Sequence, residues 1–281
     1  MIQETFPAMG TEIEVWADEP GDEQAVRVWM EEVESVCSRF RPDSELSRIN
    51  SAPGEIHRLS PLLASVLKAA DQVRTLTNGL VDAGVGAAVR SWGYDRTFAE
   101  VEALAERPDP SLLPVWEIHD DRLRADPSTI LDLGGVAKGW ACDRAVERGL
   151  ATVVSAGGDL RSDDPNTTVT ILDPWDQVAA EVEVGKGGLA TSSITRRSWT
   201  VGGREASHVM DPRTMTPVQT PILSATVITA TALEAEAGAK ATLVMGEDGL
   251  AWASDQDWIR AAIVVWHDGS VYATSGVELA A

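Results

Sequence analysis

The sequence predicts an α+β fold, on three observations. Short strand patterns come in runs, most of them between residues 152 and 273, and long helical patterns interrupt those runs rather than alternating with them. That order disfavours a doubly wound parallel sheet. No internal repeat or low-complexity tract points to a solenoid instead. At 281 residues, with 44% hydrophobic and 24% charged residues, the chain has room for one large domain or two coupled lobes and an ample core.

The elements follow in order. Residues 11–17 alternate, Ile13 and Val15 against Glu12 and Glu14, as a half-buried strand does. Residues 22–40 place apolar side chains at 25, 26, 29, 33, 36, 37 and 40, one stripe of a helix. Turn chemistry at 41–44 leads into a short helical start near Ser47. Ser60 as N-cap and Pro61 at the first helical position open a second helix, which Asn78-Gly79 stops. Residues 80–94 are punctuated by glycine and contain Asp82, which suits either a plain loop or one that lines a ligand. The proline-rich residues 107–114 read as a surface connection, and 116–119 with 122–124 as a hairpin about Asp120-Asp121.

Ile130 and Leu131 read as a strand end running into Gly134-Gly135, which opens a helix ending near Gly149. Strands are expected at 152–155, 167–173, 181–184, 198–201, 204–209, 223–229, 261–266 and 270–273. Helices are expected at 231–245 and 249–254.

The formal net charge of −21 opposes nucleic-acid binding, because the field repels phosphate backbones. No stretch approaches the ~18 apolar residues of a membrane span. The first residues lack the basic and apolar regions of a secretory leader, and the expected location is cytoplasmic. Cys37 and Cys142 lie in helical patterns and read as small buried residues rather than a disulfide. Four scattered histidines with no CxxC argue against zinc.

In so acidic a chain, an anionic ligand needs local positive charge. The 131–144 stretch offers it: glycine amides open to close approach, the positive end of a helix, and Lys138 in the first turn. Strand–glycine turn–helix units are common, so this stretch alone is a weak phosphate signal. Lys240 and the Arg196-Arg197 pair are the other cations of interest.

Six segments in collinear order carry a further signal. They are Met9-Gly10-Thr11, the Ser38–Ser47 run with Ser38-Arg39-Phe40-Arg41-Pro42-Asp43, and Thr77-Asn78-Gly79-Leu80-Val81-Asp82. The others are the 131–144 stretch, Ala156-Gly157-Gly158-Asp159, and Ser207-His208-Val209-Met210-Asp211-Pro212-Arg213-Thr214. Together they resemble the ApbE family, the FAD:protein FMN transferases.

The resemblance implies a single α+β domain over residues 1–281, built as two mixed sheet-and-helix lobes with FAD between them. It implies that a threonine hydroxyl of an acceptor protein attacks the FMN phosphorus of FAD, releasing AMP and leaving a phosphoester-linked flavin. A divalent ion, usually magnesium, sits on the pyrophosphate in the family. The family's cofactor contacts fall on Met9, Phe40, Leu80, Val81, Asp82, Asp132, Lys138 and Val209. Its catalytic positions fall on His208 and Lys138, and its metal positions on Gly135 and Glu236. Histidine suits the role of base because it titrates near neutral pH. Without the resemblance, Met9 and Phe40 read as plain core residues and His208 as a structural histidine.

Three departures stand out. Phe40 replaces a tyrosine common in relatives, which keeps stacking and loses a phenolic hydrogen bond. Met215 stands where a glycine is usual after Arg-Thr. Glu236 and Lys240 replace an aspartate and a threonine whose oxygens face the metal. Glutamate can ligate magnesium, whereas a charged lysine has only donors.

At i and i+4, Glu236 and Lys240 form either a solvated surface pair or a cationic substitute for the metal. The alternatives to an active transferase are a weak or inactive FAD-binding relative and an FAD pyrophosphatase. A structural module without flavin is the reading that leaves the motifs without a purpose.

Overall fold

The computed structural model describes residues 2–277. The chain segregates into two compact units: residues 1–31, 138–195 and 219–281 form the first, and residues 32–137 and 196–218 the second.

The first unit is organised by an eight-stranded sheet. Its strands are β1 (Ile2–Ala8), β2 (Thr11–Ala17), β3 (Val153–Ala156), β4 (Asp159–Ser162), β5 (Gly187–Ser193), β6 (Ile222–Thr229), β7 (Ala261–Trp266) and β8 (Val271–Ala273). They lie side by side in chain order, and every neighbouring pair is antiparallel. Period-2 alternation separates the two faces. Leu189, Ile228, Ile263 and Val265 pack with Ile171, Ala180 and Val182 of a separate hairpin, Thr168–Leu172 with Val178–Glu183. The neighbouring residues Val227 and Ala262 face the other way, toward Ala239 and Ala253.

Three helices belong to this unit in whole or large part: α1 (Asp22–Cys37), α2 (Ala137–Glu147) and α3 (Ala232–Met245). Helix α3 lies across β5 and β6 and is buried nearly all round. Glycine admits it: a Cβ on Gly188 would stand 2.2 Å from the Thr231 carbonyl carbon, and one on Gly139 2.8 Å from the Ala232 oxygen. Its first amides are satisfied by side chains. Asp143 Oδ1 accepts from Ala232 N at 2.8 Å, Asp143 Oδ2 from Leu233 N at 3.0 Å, and the Thr231 hydroxyl from Glu234 N at 3.2 Å.

The second unit holds a three-stranded sheet, in the order Ile56–Arg58, Arg122–Ala125, Trp116–His119, packed by the Pro61–Leu76 helix. The Ser60 hydroxyl caps that helix by accepting from Leu63 N. Two small ribbons, Ser198–Val201 with Arg204–Ser207 and Met210–Asp211 with Thr216–Pro217, complete it. Its core joins Val89, Trp92, Tyr94, Trp199, Met210 and Met215. Cys37 and Cys142 are buried free thiols, as read from the sequence. Among the described residues, no helix is long and apolar enough to cross a membrane.

The α+β class and most elements agree with the sequence reading, and the differences include strand β4, which that reading lacks. Strand β1 was not anticipated; only Phe6 and Ala8 of it are buried, and Pro7 is tolerated because this is an edge. Strand β5, Gly-Gly-Leu-Ala-Thr-Ser-Ser, has weak strand propensity, and its central position overrides it. Residues 56–58 also pair as a strand, and the glycine-punctuated 80–94 segment contains a helix, Gly86–Ser91. Ile130 makes only a single bridge, to Val85. Helix α1 stops at Cys37, short of Phe40.

Candidate active site

In the second unit, three of the six sequence segments meet. Asn50 pins Leu131 from both sides, its Oδ1 accepting from Leu131 N at 2.9 Å and its Nδ2 donating to Leu131 O at 2.8 Å. Asp132 N donates to Ala83 O at 2.7 Å, which ties the 131–135 turn to the Leu80–Asp82 segment. Asp132 Oδ2 receives Arg39 Nε at 2.6 Å, which brings in Phe40. Phe40, Leu80, Val81, Asp82 and Asp132 therefore belong to one neighbourhood.

Within it the roles divide. Phe40 keeps 37% of its surface exposed, whereas Leu80 and Val81 are buried. Asp82 Oδ1 accepts from Gly84 N and from Trp116 Nε1, both at 2.7 Å, so it fixes the turn. Asp132 spends Oδ1 on Gly134 N at 2.7 Å as well as Oδ2 on Arg39. It shapes the glycine turn rather than lying open. Gly135 sits half-buried in the same turn.

Arg39 was not singled out in the sequence beyond its place in the motif. Its guanidinium lies 4.0 Å from the Phe40 ring centroid and 4.8 Å from that of Tyr94, the two rings being 5.3 Å apart. Only 6% of its side chain is exposed, and Nη2 is buried without a hydrogen-bond partner among the described residues. Arg197 reaches the Tyr94 hydroxyl at 3.3 Å, and its carbonyl accepts from His208 N at 3.2 Å. This chain of contacts links half-buried His208 to the aromatic group. Val209 beside it is buried, and its carbonyl accepts from Val218 N. Met215, despite replacing glycine, takes the left-handed conformation (φ +55°) with its side chain fully buried.

The first unit carries a different constellation. Met9 and Gly10 form the tight turn between β1 and β2, both at positive φ, which leaves Met9 half-buried at the tip. Below α2 and α3 lies a cluster of four charges. Lys138 Nζ stands 2.6 Å from Glu236 Oε1 and 2.9 Å from Asp159 Oδ2. Lys240 Nζ stands 2.9 Å from the same Glu236 Oε1. Glu236 Oε2 accepts from Gly139 N at 3.2 Å. Glu236 has no exposed surface, so the pair with Lys240 is not the solvated one the spacing also allowed.

Electrostatics follow from that burial. Burial would push the Glu236 carboxyl up, but the Lys138 and Lys240 ammoniums override it and bring it down to about 2. Burial, then the charge of Glu236, pushes Asp159 up to about 6 against the pull of Lys138. Burial opposes the Lys138 ammonium, yet Asp159 and Glu236 together hold it above the ordinary lysine range. Asp159 is the member that sequence reasoning missed as a site residue. Its motif was visible, but its partner lies in another element.

With this geometry in view, the comparisons are informative. Residues 9–263 match the ApbE family. A Vibrio cholerae protein named FAD:protein FMN transferase is 30% identical, over 97% of this chain and 90% of its own length. The Escherichia coli K12 protein of the same name is 27% identical, over 80% of this chain and 71% of its own. The solved Vibrio cholerae flavin transferase ApbE superposes with a TM-score of 0.77 at 26% identity, covering 98% of this chain and 97% of that one. The Thermotoga maritima ApbE protein shares the fold, with a TM-score of 0.85 at 24% identity over 98% and 97% of the two chains. The motifs, the fold and these matches agree, and the chain belongs to the ApbE family.

Proposed function

We infer that this chain is an FAD:protein FMN transferase that moves the FMN part of FAD onto a threonine of an acceptor protein. The observation that carries this reading is the near full-length match to the Vibrio cholerae FAD:protein FMN transferase. The collected motif residues support it.

In this reading the threonine oxygen forms a bond to the FMN phosphorus, and the bond from that phosphorus to the bridging oxygen breaks. AMP leaves with the bridging oxygen, and the threonine proton passes to His208. Such a reaction asks the protein mainly to position groups and to neutralise charge. Phe40, backed by Arg39, offers a stacking face for the flavin. Leu80, Val81 and Asp82 shape its backbone surround, with Met9 and Val209 as further flavin contacts. Asp132 acts by holding the Gly134-Gly135 turn. Lys138 and Lys240 supply positive charge for the phosphates.

A divalent ion does not fit the residues that the resemblance assigns to it. Both Glu236 oxygens are engaged, Oε1 by two ammoniums and Oε2 by an amide. Lys240 brings donors and no lone pair. A doubly charged ion ~4 Å from either ammonium would be repelled by about 8 kcal/mol at an effective dielectric of ~20. No step here runs through a metal.

The test is incubation with FAD and an acceptor protein, followed by mass spectrometry of the acceptor and chromatography of the nucleotides. An FMN adduct on threonine with equimolar AMP is expected. FMN and AMP without an adduct would replace the reading with a pyrophosphatase, and unchanged FAD with a passive flavin binder.

A further inference from the structure

The four-charge cluster of the first unit has a consequence for how the nucleotide is held, and this rests on the transferase reading above. Glu236 is fully buried, and its Oε1 is shared by the Lys138 and Lys240 ammoniums at 2.6 and 2.9 Å. Lys138 is further tied to Asp159, so two carboxylates claim it. Lys240 is bound differently. Among the described residues its ammonium makes one hydrogen bond, to Glu236, out of the three that an ammonium can donate.

Both lysines keep 17% of their side chains exposed above a carboxylate that keeps none, so what sets Lys240 apart is that, among the described residues, Glu236 alone holds its ammonium. The i, i+4 spacing on α3 and the second anchor of Glu236 on Gly139 N fix where that ammonium stands. The result is a cation preset by a buried carboxylate, with donors to spare. That is the arrangement an oxyanion needs if it is to be bound without the cost of ordering a long side chain.

We propose that the Lys240 ammonium, seated on Glu236, is the cation that meets the pyrophosphate of FAD, and that this chain binds FAD without a divalent metal. The carboxylate does for lysine what it would otherwise do for a metal: it sets the position of the positive charge. Lys138, held between Asp159 and Glu236, keeps the carboxylate in place and adds its charge to the phosphate site from there.

The experiment is an FAD titration followed by flavin fluorescence, with the whole protein dialysed against EDTA and then with excess magnesium chloride. The two dissociation constants are expected to agree within about twofold. A tenfold or greater weakening in EDTA, restored by magnesium, overturns the proposal and leaves the transferase reading intact. Absence of FAD binding in both buffers overturns the transferase reading, and this proposal with it.

The variant Lys240→Thr removes the ammonium and offers a hydroxyl instead. In EDTA it is expected to bind FAD at least tenfold more weakly, with affinity for riboflavin, which has no phosphate, unchanged. Undiminished FAD affinity in that variant overturns the proposal. Should Lys240→Thr fail to fold, Lys240→Arg keeps the charge in place and is expected to bind FAD equally well in EDTA and in magnesium. A magnesium requirement there would overturn the proposal too.

Discussion

Lys138 and Arg39 are both cations buried beside carboxylates, and their surroundings differ in kind. Lys138 stands in a charged cluster with Asp159, Glu236 and, through Glu236, Lys240. Arg39 has one carboxylate, Asp132, and the faces of Phe40 and Tyr94. In the first cluster each charge is justified by another, so removing one member leaves a partner stranded. In the second, the ring faces carry part of the load and do not titrate. Burial of a cation therefore has two solutions in this chain, one sensitive to every proton and one much less so.

The largest expected effect comes from breaking the first cluster. Glu236→Gln keeps the shape and leaves two ammoniums near each other without the carboxylate. We expect a loss of about 3–5 kcal/mol in urea denaturation. A loss under ~1 kcal/mol would mean that the lysines escape to solvent and that the contrast between the clusters is false.

Asp132→Asn is the matching change in the second cluster. Asparagine can still accept from Gly134 N, and the rings still cover the guanidinium. A loss of about 1–3 kcal/mol is expected by the same measurement. A loss equal to that of Glu236→Gln would show that the rings contribute little.

The pH dependence sharpens the difference. Glu236 is lower in the folded protein than its ordinary 4.5, so its contribution is complete above that value and is lost as pH falls toward about 2. Asp159 works in the opposite sense. Its folded value of about 6 lies above the ordinary 3.8, so its ionised form costs stability, and that cost sets in as pH rises from 3.8 through about 6. Stability measured against pH should lose its acid limb below 4.5 in Glu236→Gln. It should lose its decline between pH 4 and 7 in Asp159→Asn. Profiles that match the unaltered protein would count against the assignment of these charges.

The smallest effect is expected from Arg39→Lys. The charge next to Asp132 remains, but a planar group stacked on Phe40 becomes a compact ammonium. A cost of about 1 kcal/mol is expected, and a double-mutant cycle with Phe40→Leu should recover most of it as coupling.

What was legible in the sequence was local. Ser60-Pro61 announced a helix start, Asp120-Asp121 a hairpin, and Asn78-Gly79 a stop, because each depends on the residues themselves. The Glu236–Lys240 pair was visible from its spacing on one helix. The partners of Lys138 were not, since Glu236 lies 98 positions away in another helix. Nor was the pairing of Arg39 with Asp132, 93 positions apart, which no periodicity encodes. Strand β5 was hidden for a related reason. Gly188 lets the start of α3 approach and Gly187 clears the Thr229 carbonyl and Arg260, demands that come from segments about 40 residues or more later and that suppress the strand signal locally. Met215 is a different case: it holds the left-handed backbone conformation that favours glycine, and its buried side chain gives no local sign of it.

The strand order of the large sheet also sets a timetable for synthesis. Because β1 to β8 lie side by side in chain order, the sheet can grow only from one edge as the polypeptide emerges. Strand β5 is complete at Ser193, and its partner β6 begins at Ile222. At ~5–20 residues per second, β5 waits a few seconds as an unpaired edge. Lys138 and Asp159 wait longer, for the helix that brings Glu236. During that interval the half-built sheet is exposed to pairing with other chains. The charge cluster of Lys138, Asp159, Glu236 and Lys240 is therefore among the last features a nascent molecule acquires.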